Sequence, residues 1–417
     1  MLDEYQRDEA ILHFQRGVVL ERANRVEEAV EEYRRAIARY PHLREAHDAL
    51  GFYYQRYGLL AKAAAEFRVV ANLEDDFLSH FNLGYVLMEL TRHDEAIEAF
   101  QHCIEHLPGD PAAHYEIAYL KFVKGEYIDA LTHLQIANAH YAEDWEIHKL
   151  RGRCMLQLKR FDEAQISFEK ARKYALRPAV CVEIDAELAS VQRHREIEPQ
   201  AGLKARLYLN HGAVHLGSAQ DDGLNLREAD EYHFTYPDIA ATIRRLHALV
   251  AACSWRFSCV VALDRLAHPL ASAFAAQFGI PVCDFKELAP DAVPLFVLAV
   301  GREAELLDLI RERGPARGVV FCLGVNWLRH SLAVPDISGV LVRGACSVPW
   351  EPELRRLRAV GAAAEQIARC LQIAAEQIAA STRDLDPAAD LGPQIDYYAR
   401  NHRLLRFASH VTGTLEG

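Results

Sequence analysis

Apolar and small residues recur about every 34 residues between Ala10 and Pro178, within patterns that otherwise predict α-helix. Each period carries a small residue, at Gly17, Gly51, Gly84, Ala118 and Gly152. An alanine follows twelve residues later, at Ala29, Ala63, Ala96, Ala130 and Ala164, and a large apolar residue four residues after it, at Tyr33, Phe67, Phe100, Leu134 and Phe168. Because no single helix pair can bury its own apolar face, the pattern predicts five stacked helix pairs.

At these residues the sequence resembles the tetratricopeptide repeat (TPR) family, whose fold is an α-solenoid of helix pairs. Small residues at fixed positions let the two helices of a pair approach closely. The family has a tryptophan near the start of the first helix of each pair. This sequence has histidine at that position instead, at His13, His47, His80, His114 and His148. The run at 180–193 predicts a capping helix at the open end of the array.

The resemblance implies a concave groove lined by the first helices of the pairs. The groove positions are aromatic in the middle and charged at the rims: Phe52, Phe81, Asn82, Tyr85, Tyr115, Tyr119, Phe122, Arg56, Lys149 and Arg153, with Glu89 and Glu116 among them. Such a groove favours an extended or helical partner segment with apolar anchors. The family's positions for clamping a terminal carboxylate read Phe14, Val18, Ala49, Leu78 and Asn82, which disfavours that ligand. The alternative is that these aromatic residues pack against the C-terminal half of the chain.

After residues 197–200 short β-rich runs alternate with helical ones, which predicts an α/β sheet domain. Strands are predicted at 206–210, 213–217, 257–263, 279–282, 294–300, 318–323 and 339–343. Helices are predicted from 236 to about 253 and at 270–278, 302–313, 353–380 and 395–409. We therefore expect a lead-in at 1–9, the solenoid and its cap at 10–197, the sheet domain at 198–350, and helices packed on that domain at 351–417.

The strand, turn and helix at 257–278, with the Gly279-Ile280-Pro281-Val282 that follows, resemble part of the type I phosphoribosyltransferase fold. In that family a later loop carries two acidic residues and a Thr/Gly-rich turn that holds the ribose 5-phosphate. The corresponding stretch here, 300–304, reads Val-Gly-Arg-Glu-Ala and lacks both features. The resemblance therefore implies a fold rather than an activity. A Rossmann-like sheet fits the same pattern, although no G-x-G-x-x-G follows a predicted strand.

Two groups of residues in the sheet domain are candidates for binding a ligand. Asp264, Arg265 and His268 follow the clearest predicted strand, where open α/β sheets place their ligand crevices. Alternatively, Asp264 caps the next helix. Asp221 and Asp222 lie beside a glycine and could hold a divalent cation, or form an ordinary turn.

Cys322 has no neighbour in the sequence that would act as its base, so we expect a buried structural thiol rather than a nucleophile. The nine cysteines include no C-x-x-C pair, which favours free thiols in a reducing compartment. The N-terminus lacks the features of a signal peptide, and no apolar run approaches the ~20 residues that span a bilayer. We therefore expect a cytoplasmic protein.

A net charge of -12 argues against nonspecific binding to nucleic acid or to anionic membranes. Two functions remain open. The first is a non-catalytic scaffold whose repeats bind another protein and whose α/β domain is a second docking module. The second is an enzyme or sensor that binds a nucleotide-like or phosphorylated molecule in the α/β domain. No catalytic motif, cofactor or metal ion is predicted, which favours the scaffold, and the long C-terminal helix could pair with a copy of itself.

Overall fold

The computed structural model describes residues 2–196, 202–302, 307, 310, 315, 317–326, 334–385 and 391–412. The chain divides into two compact units, Met1–Ile184 and Asp185–Gly417. The predicted boundary at 197–200 lies outside the described residues, and the predicted division into domains stays a prediction. Among the described helices, none is both long and apolar enough to cross a membrane.

The first unit is a helical solenoid of five consecutive helix pairs, as the period of the sequence predicts. The ten helices are α1 (Leu2–Arg22), α2 (Val26–Arg39), α3 (Arg44–Arg56), α4 (Leu60–Glu74), α5 (Phe77–Glu89), α6 (His93–His106), α7 (Pro111–Val123), α8 (Tyr127–His140), α9 (Trp145–Gln157) and α10 (Phe161–Tyr174). A further helix, α11 (Pro178–Glu196), begins in this unit and covers the residues predicted to cap the array. The helix pairs therefore follow the 34-residue period throughout.

The repeated glycines pack against the repeated aromatic rings. A Cβ atom built on Gly51 would lie 2.7 Å from Phe67, and one built on Gly84 would lie 2.9 Å from Phe100. Both rings are completely buried. The absence of a side chain at these positions is thus what allows the first helix of a pair to rest directly on the ring of the second.

Three of the histidines that replace the family's tryptophan tie a first helix to the turn before it. His47, His114 and His148 place Nε2 within 2.9, 2.9 and 2.8 Å of the carbonyl oxygens of Pro41, Pro108 and Ala142, respectively. Each carbonyl lies six residues before its histidine. Because a backbone carbonyl only accepts hydrogen bonds, Nε2 carries a proton in each of these three rings.

The second unit contains parallel strands. The strands are β1 (Val214–His215), β2 (Tyr232–His233), β3 (Cys259–Ala262), β4 (Pro294–Gly301), β5 (Val319–Val325), β6 (Ile337–Leu341) and β7 (Cys346–Ser347). Five of them form a parallel sheet in the order β1-β6-β5-β4-β3, and β2 and β7 form a separate parallel pair. The predicted strand at 279–282 is reduced to a single bridge between Val260 and Val282.

Helices cover the sheet of the second unit. The helices are α12 (Leu203–His211), α13 (Tyr236–Ala252), α14 (His268–Phe278), α15 (Glu351–Ala359), α16 (Ala364–Asp384), α17 (Gly392–Ala399) and α18 (Ala408–Val411). Val260 and Phe321 share a core with α13, α14 and α16. Val261 and Cys322 belong to a second core that includes Leu207 of α12. Successive residues of a strand point to opposite faces, so the sheet is buried on both sides, as the continuous apolar strands predict.

The prediction of a strand at 206–210 is wrong, because these residues belong to helix α12. The helix ends at Gly212, whose φ of 60° is the left-handed conformation that commonly terminates helices. The predicted strand at 213–217 exists only as the two residues of β1. Tyr208 is buried, and its hydroxyl donates to the carbonyl of Asn401, so packing against distant residues stabilises the helix here.

The prediction of one long helix at 353–380 is also wrong, because α15 and α16 are separate helices. Gly361 has a φ of 62° and breaks the run between them. The last predicted helix, 395–409, is likewise divided into α17 and α18, with a short 3₁₀ turn, His402–Leu404, between them. The predicted helix at 302–313 lies largely outside the described residues.

The end of the chain is anchored to the edge strand β1 by buried polar groups. Tyr398 is fully buried, and its hydroxyl accepts from the His215 N–H at 2.8 Å and donates to the His215 carbonyl at 3.0 Å. The buried Arg193 guanidinium donates to the carbonyls of Leu209, Asn210 and Leu404. Such buried groups are stabilising only when all their partners are present.

Candidate functional site

Three aromatic side chains remain exposed on the first helices of the second, third and fourth repeats. Phe52 on α3, Tyr85 on α5 and Tyr119 on α7 have exposed fractions of 45%, 38% and 40%. Each directly follows the small residue of its repeat, so the three occupy the same position in successive units. The structure thus leaves open a row of aromatic residues where the sequence predicts the middle of a groove.

Buried rings of the second helices support two of these exposed aromatics, Phe52 and Tyr85. The ring of Phe52 meets that of Phe67 edge to face, with centroids 5.0 Å apart, and the ring of Tyr85 meets that of Phe100 at 6.4 Å. Edge-to-face packing is a favoured geometry for aromatic pairs. Phe67 and Phe100, which pack against the repeated glycines, therefore also hold the exposed rings of Phe52 and Tyr85 in place.

The other predicted groove aromatics are half-buried and pack within the array. Phe81 stacks on Phe77 at 5.5 Å, and Phe122 lies 5.7 Å from Tyr127. Tyr115 and Asn82 are half-buried as well. These four side chains are therefore less accessible to a partner than Phe52, Tyr85 and Tyr119.

Negative partners lie close to the basic residues predicted at the rims. Lys149 forms an ion pair with Glu183 at 2.6 Å, and Arg56 lies 3.7 Å from Glu21. Arg153 is half-buried. The exposed pair of Arg56 with Glu21 contributes little to stability, and both pairs reduce the positive charge that a partner would meet.

Two carboxylates, those of Glu116 and Glu146, add negative charge near Tyr85 at the centre of the aromatic row. The negative charge of Glu116 on α7, followed by burial, raises the pKa of Tyr85 on α5. Burial raises the pKa of Glu116, and the nearby carboxylate of Glu146 adds to this effect. The sequence places Glu116 in the groove, but the contribution of Glu146 from α9 was missed because it depends on how neighbouring units stack. The centre of the row is therefore aromatic and acidic.

In the second unit, Arg265 and His268 lie together at one end of α14. Both side chains line a cavity of about 710 Å³ whose other wall is formed by α16, mostly by apolar residues but also by Gln372 and Glu376. Asp264 accepts a hydrogen bond from the Ala267 N–H at 2.7 Å, which stabilises the turn before α14; the N-cap of that helix is Ala267, so the alternative that Asp264 caps it is wrong. Asp264 and Arg265 also border a smaller cavity of about 160 Å³ with Arg302. Arg265 thus borders both cavities, whereas Asp264 borders the smaller one and His268 the larger one.

Asp221 and Asp222 lie in a turn and accept hydrogen bonds from the chain itself. Asp221 accepts from the backbone N–H groups of Ser218 and Gly223, and forms an ion pair with Arg245 at 3.0 Å. Backbone N–H groups donate to Asp222 and lower its pKa to about 2. Their oxygens stabilise the turn, and neither residue lines the two cavities beside Arg265.

Cys322 is completely buried in β5, and burial raises the pKa of its thiol. Its Sγ lies 3.2 Å from the carbonyl oxygen of Gly324. A thiol held protonated in this way is a poor nucleophile. Its environment is that of a structural cysteine, as the sequence predicts.

Two family models, each described as tetratricopeptide repeat, match the first unit. One matches residues 10–43 and 77–110, and the other matches residues 115–178. The N-terminal half contains tetratricopeptide repeats. Helices α3 and α4, between the matched segments, form the same kind of pair. No curated protein matches the chain.

Several solved structures are similar to the repeat-containing part of the chain. The crystal structure of MamA shares 18% identity over 40% of this chain and 92% of its own, with a TM-score of 0.38. YrrB, described as a TPR protein with an unusual peptide-binding site, shares 17% identity over 44% of this chain and 94% of its own, with a TM-score of 0.40. PilF of Pseudomonas aeruginosa shares 18% identity over 46% and 87%, with a TM-score of 0.37. These similarities are too low to transfer a function.

Proposed function

We propose that this protein is an interaction scaffold whose repeats bind a polypeptide segment of another protein along the first helices. The observation that carries the proposal is the row formed by Phe52, Tyr85 and Tyr119, which are exposed at one position of three successive repeats. Rigid aromatic side chains are enriched among the residues that dominate protein interfaces. The buried rings beneath Phe52 and Tyr85 hold them in place, so binding costs little side-chain ordering.

The chemistry of the row suggests the kind of segment that would bind. Apolar side chains of the partner would pack on the exposed rings, and a lysine, arginine or hydroxyl group would donate to Glu116. A free terminal carboxylate would meet Glu116 and Glu146 instead of a basic clamp, so we do not propose it as the anchor. Two unpaired carboxylates brought together at an interface repel each other, which disfavours such partners.

The experiment compares proteins captured by the wild-type chain with those captured by Tyr85→Ala/Tyr119→Ala. The matched control is Ile128→Ala/Ile166→Ala, which removes two apolar side chains that are exposed on second helices, with exposed fractions of 69% and 53%. A protein that requires the tyrosines is then reduced to its binding segment, and the affinity of that segment is measured by calorimetry.

We expect the double tyrosine variant to bind the segment at least ~10-fold more weakly, because interface hot spots contribute about 2 kcal/mol or more each. The isoleucine control should bind like the wild type. Equal affinities for all three proteins would show that the aromatic row is not the binding surface.

A second candidate function is small-molecule binding by the α/β domain, and the cavity beside Arg265 and His268 is the observation that favours it. Its volume of about 710 Å³ lies within the range of ligand pockets. An anionic group could pair with Arg265 while an apolar part lies against α16. A phosphoribosyltransferase-like or Rossmann-like identity remains a proposal that rests on the sequence pattern alone.

Thermal melting tests this second candidate with a panel of nucleotides and phosphoribosyl pyrophosphate, each with and without magnesium. A ligand that raises the melting temperature of the wild type, but not of Arg265→Ala/His268→Ala, would support it. If no compound discriminates between the two proteins, the domain is better described as a docking module. We propose, further, that the protein acts in the cytoplasm, does not bind nucleic acid or membranes, and can associate with a copy of itself through its C-terminal helices.

A further inference from the structure

Two histidines and an aspartate from three helices of the first unit converge at one point. Asp75 directly follows α4, His80 lies in the first turn of α5, and His106 is the last residue of α6. His80 Nε2 lies 2.7 Å from Asp75 Oδ1, and His106 Nε2 lies 3.6 Å from the same oxygen. One side-chain ligand atom of each residue lies within 4.8 Å of the other two.

The third repeat differs here from its neighbours. In the second, fourth and fifth repeats the equivalent histidine, such as His114, places Nε2 against a backbone carbonyl. In the third repeat Nε2 of His80 instead meets the side-chain carboxylate of Asp75. The exposed carboxylate of Asp75 and the imidazole of His80 could both bind one metal ion in place of this hydrogen bond. A histidine whose Nε2 donates to a backbone carbonyl has that nitrogen occupied.

We propose that Asp75, His80 and His106 bind a divalent transition-metal ion of the Zn²⁺ class. Imidazole nitrogens suit zinc, copper and nickel, and carboxylate oxygens complete many zinc sites, whereas magnesium and calcium prefer oxygen ligands alone. Ligand atoms about 3.3 Å apart fit a tetrahedral zinc with bonds of ~2.0 Å. The two observed separations from Asp75 Oδ1, 2.7 and 3.6 Å, lie on either side of that value.

The surroundings allow an ion to enter and hold one ligand in place. His80 is almost buried, and its ring stacks on that of His102 with centroids 4.7 Å apart, which fixes its orientation. The side chains of Asp75 and His106 have exposed fractions of 73% and 38%, so both remain accessible to solvent. A water molecule or a side chain of a partner would occupy the remaining position. The bound ion would link the turn after α4 to the end of α6, and so join two consecutive repeats.

The chain supplies a matched control in the next repeat. His140 ends α8 as His106 ends α6, and His114 corresponds to His80. The residue at the position of Asp75 is Gly109, which offers no carboxylate. A change at His140 therefore removes an exposed histidine at the same repeat position without touching the proposed ligands.

The experiment titrates ZnCl₂ into the full chain by isothermal calorimetry and repeats the titration with His106→Gln, Asp75→Asn and His140→Gln. We expect one saturable site in the wild type. Loss of a ligand should weaken binding at least ~10-fold in His106→Gln and in Asp75→Asn, since even outer-shell changes cost 10–100-fold. His140→Gln should bind like the wild type, and excess MgCl₂ should not compete. Both ligand substitutions are on the surface, and circular dichroism checks that each variant is folded.

Cobalt gives an independent readout, because a tetrahedral nitrogen–oxygen site produces an intense visible absorption that hydrated Co²⁺ lacks. The band should appear with the wild type and His140→Gln and be lost with His106→Gln. The proposal is overturned if the wild type shows no saturable site, if His106→Gln binds zinc as tightly as the wild type, or if His140→Gln loses as much affinity.

Discussion

The two halves of this protein use different kinds of contact. In the repeat half, the main contact recurs within each unit: the ring of Phe67 packs on Gly51, sixteen residues earlier, and Phe100 packs on Gly84 in the same way. In the α/β half, contacts such as those of Tyr398 with His215 and of Arg193 with Leu404 join residues about 200 positions apart and occur once. A recurring local contact leaves a period in the sequence, whereas a unique distant contact leaves none.

The largest effect is expected when a recurring contact of the repeat half is removed. Phe67→Ala deletes a completely buried ring, which should lower the free energy of unfolding of the repeats by about 3–5 kcal/mol. Urea denaturation followed by far-ultraviolet circular dichroism measures the change. Phe52→Ala is the control, because its ring contacts Phe67 but is 45% exposed, and it should cost less than half as much. Equal losses would mean that burial does not distinguish the two rings.

The next effect concerns the α/β half and depends on pH. Burial, with a contribution from the positive charge of Lys204, lowers the pKa of His215 from 6.5 to about 3. Below pH 6.5 the unfolded chain therefore binds a proton that the folded chain does not, and stability falls by about 1.4 kcal/mol per pH unit until pH 3. Above pH 6.5 His215 is neutral in both the folded and the unfolded chain, so it adds no pH dependence to the stability.

Comparison with the variant His215→Asn separates the contribution of His215 to this pH dependence from that of the other groups that titrate in acid. Urea denaturation followed by tryptophan fluorescence reports mainly on the second unit, where Trp255 and Trp350 are buried, and Trp145 of the first unit adds a signal common to both proteins. The difference in stability between wild type and variant should shrink as the pH falls from 6.5. A difference that is independent of pH would show that the pKa of His215 is the same in the folded and the unfolded protein.

A smaller effect is expected from one distant hydrogen-bonding group. Tyr398→Phe keeps the buried ring but removes the hydroxyl that serves both the N–H and the carbonyl of His215. Leaving buried polar groups without partners should cost about 1–3 kcal/mol. Tyr397→Phe is the comparison, because Tyr397 is only half-buried, and it should change stability by less. If the two variants are equally stable, the bridge to β1 contributes nothing.

The sequence predicts the structure of the repeat half better than that of the α/β half. The repeats were predicted from the glycine, alanine and aromatic positions alone, because each contact lies within one period. The local sequence at 206–210 predicts a strand. The segment is helical instead, because Tyr208 donates a hydrogen bond to the carbonyl of Asn401 and packs against the aromatic rings of α17. The predicted helix at 353–380 is broken at Gly361, a residue that a helical pattern can tolerate but whose left-handed φ ends the run here.

The exposure of three candidate groove residues agrees with the sequence pattern, and the binding of a partner there stays a prediction. Counting from the small residue of each repeat places Phe52, Tyr85 and Tyr119 on one face, and the structure finds them exposed there. The influence of Glu146 on Glu116, and the meeting of Asp75 with His106, depend on the stacking of successive units, so neither follows from one period of the sequence. An alignment of the repeats with one another would point to the contact of Asp75 with His106, because the next repeat has Gly109 at the position of Asp75.

The central claim is that the aromatic row binds another polypeptide, and site-specific photocrosslinking tests it most directly. A photoreactive phenylalanine analogue is placed at Tyr85 in one protein and at Ile166, which is exposed on α10, in another, and both are irradiated in cells. We predict that the analogue at position 85 forms a covalent adduct with a distinct second protein, and that the analogue at position 166 does not. Adducts from position 85 that join only the two halves of this same chain would contradict the account.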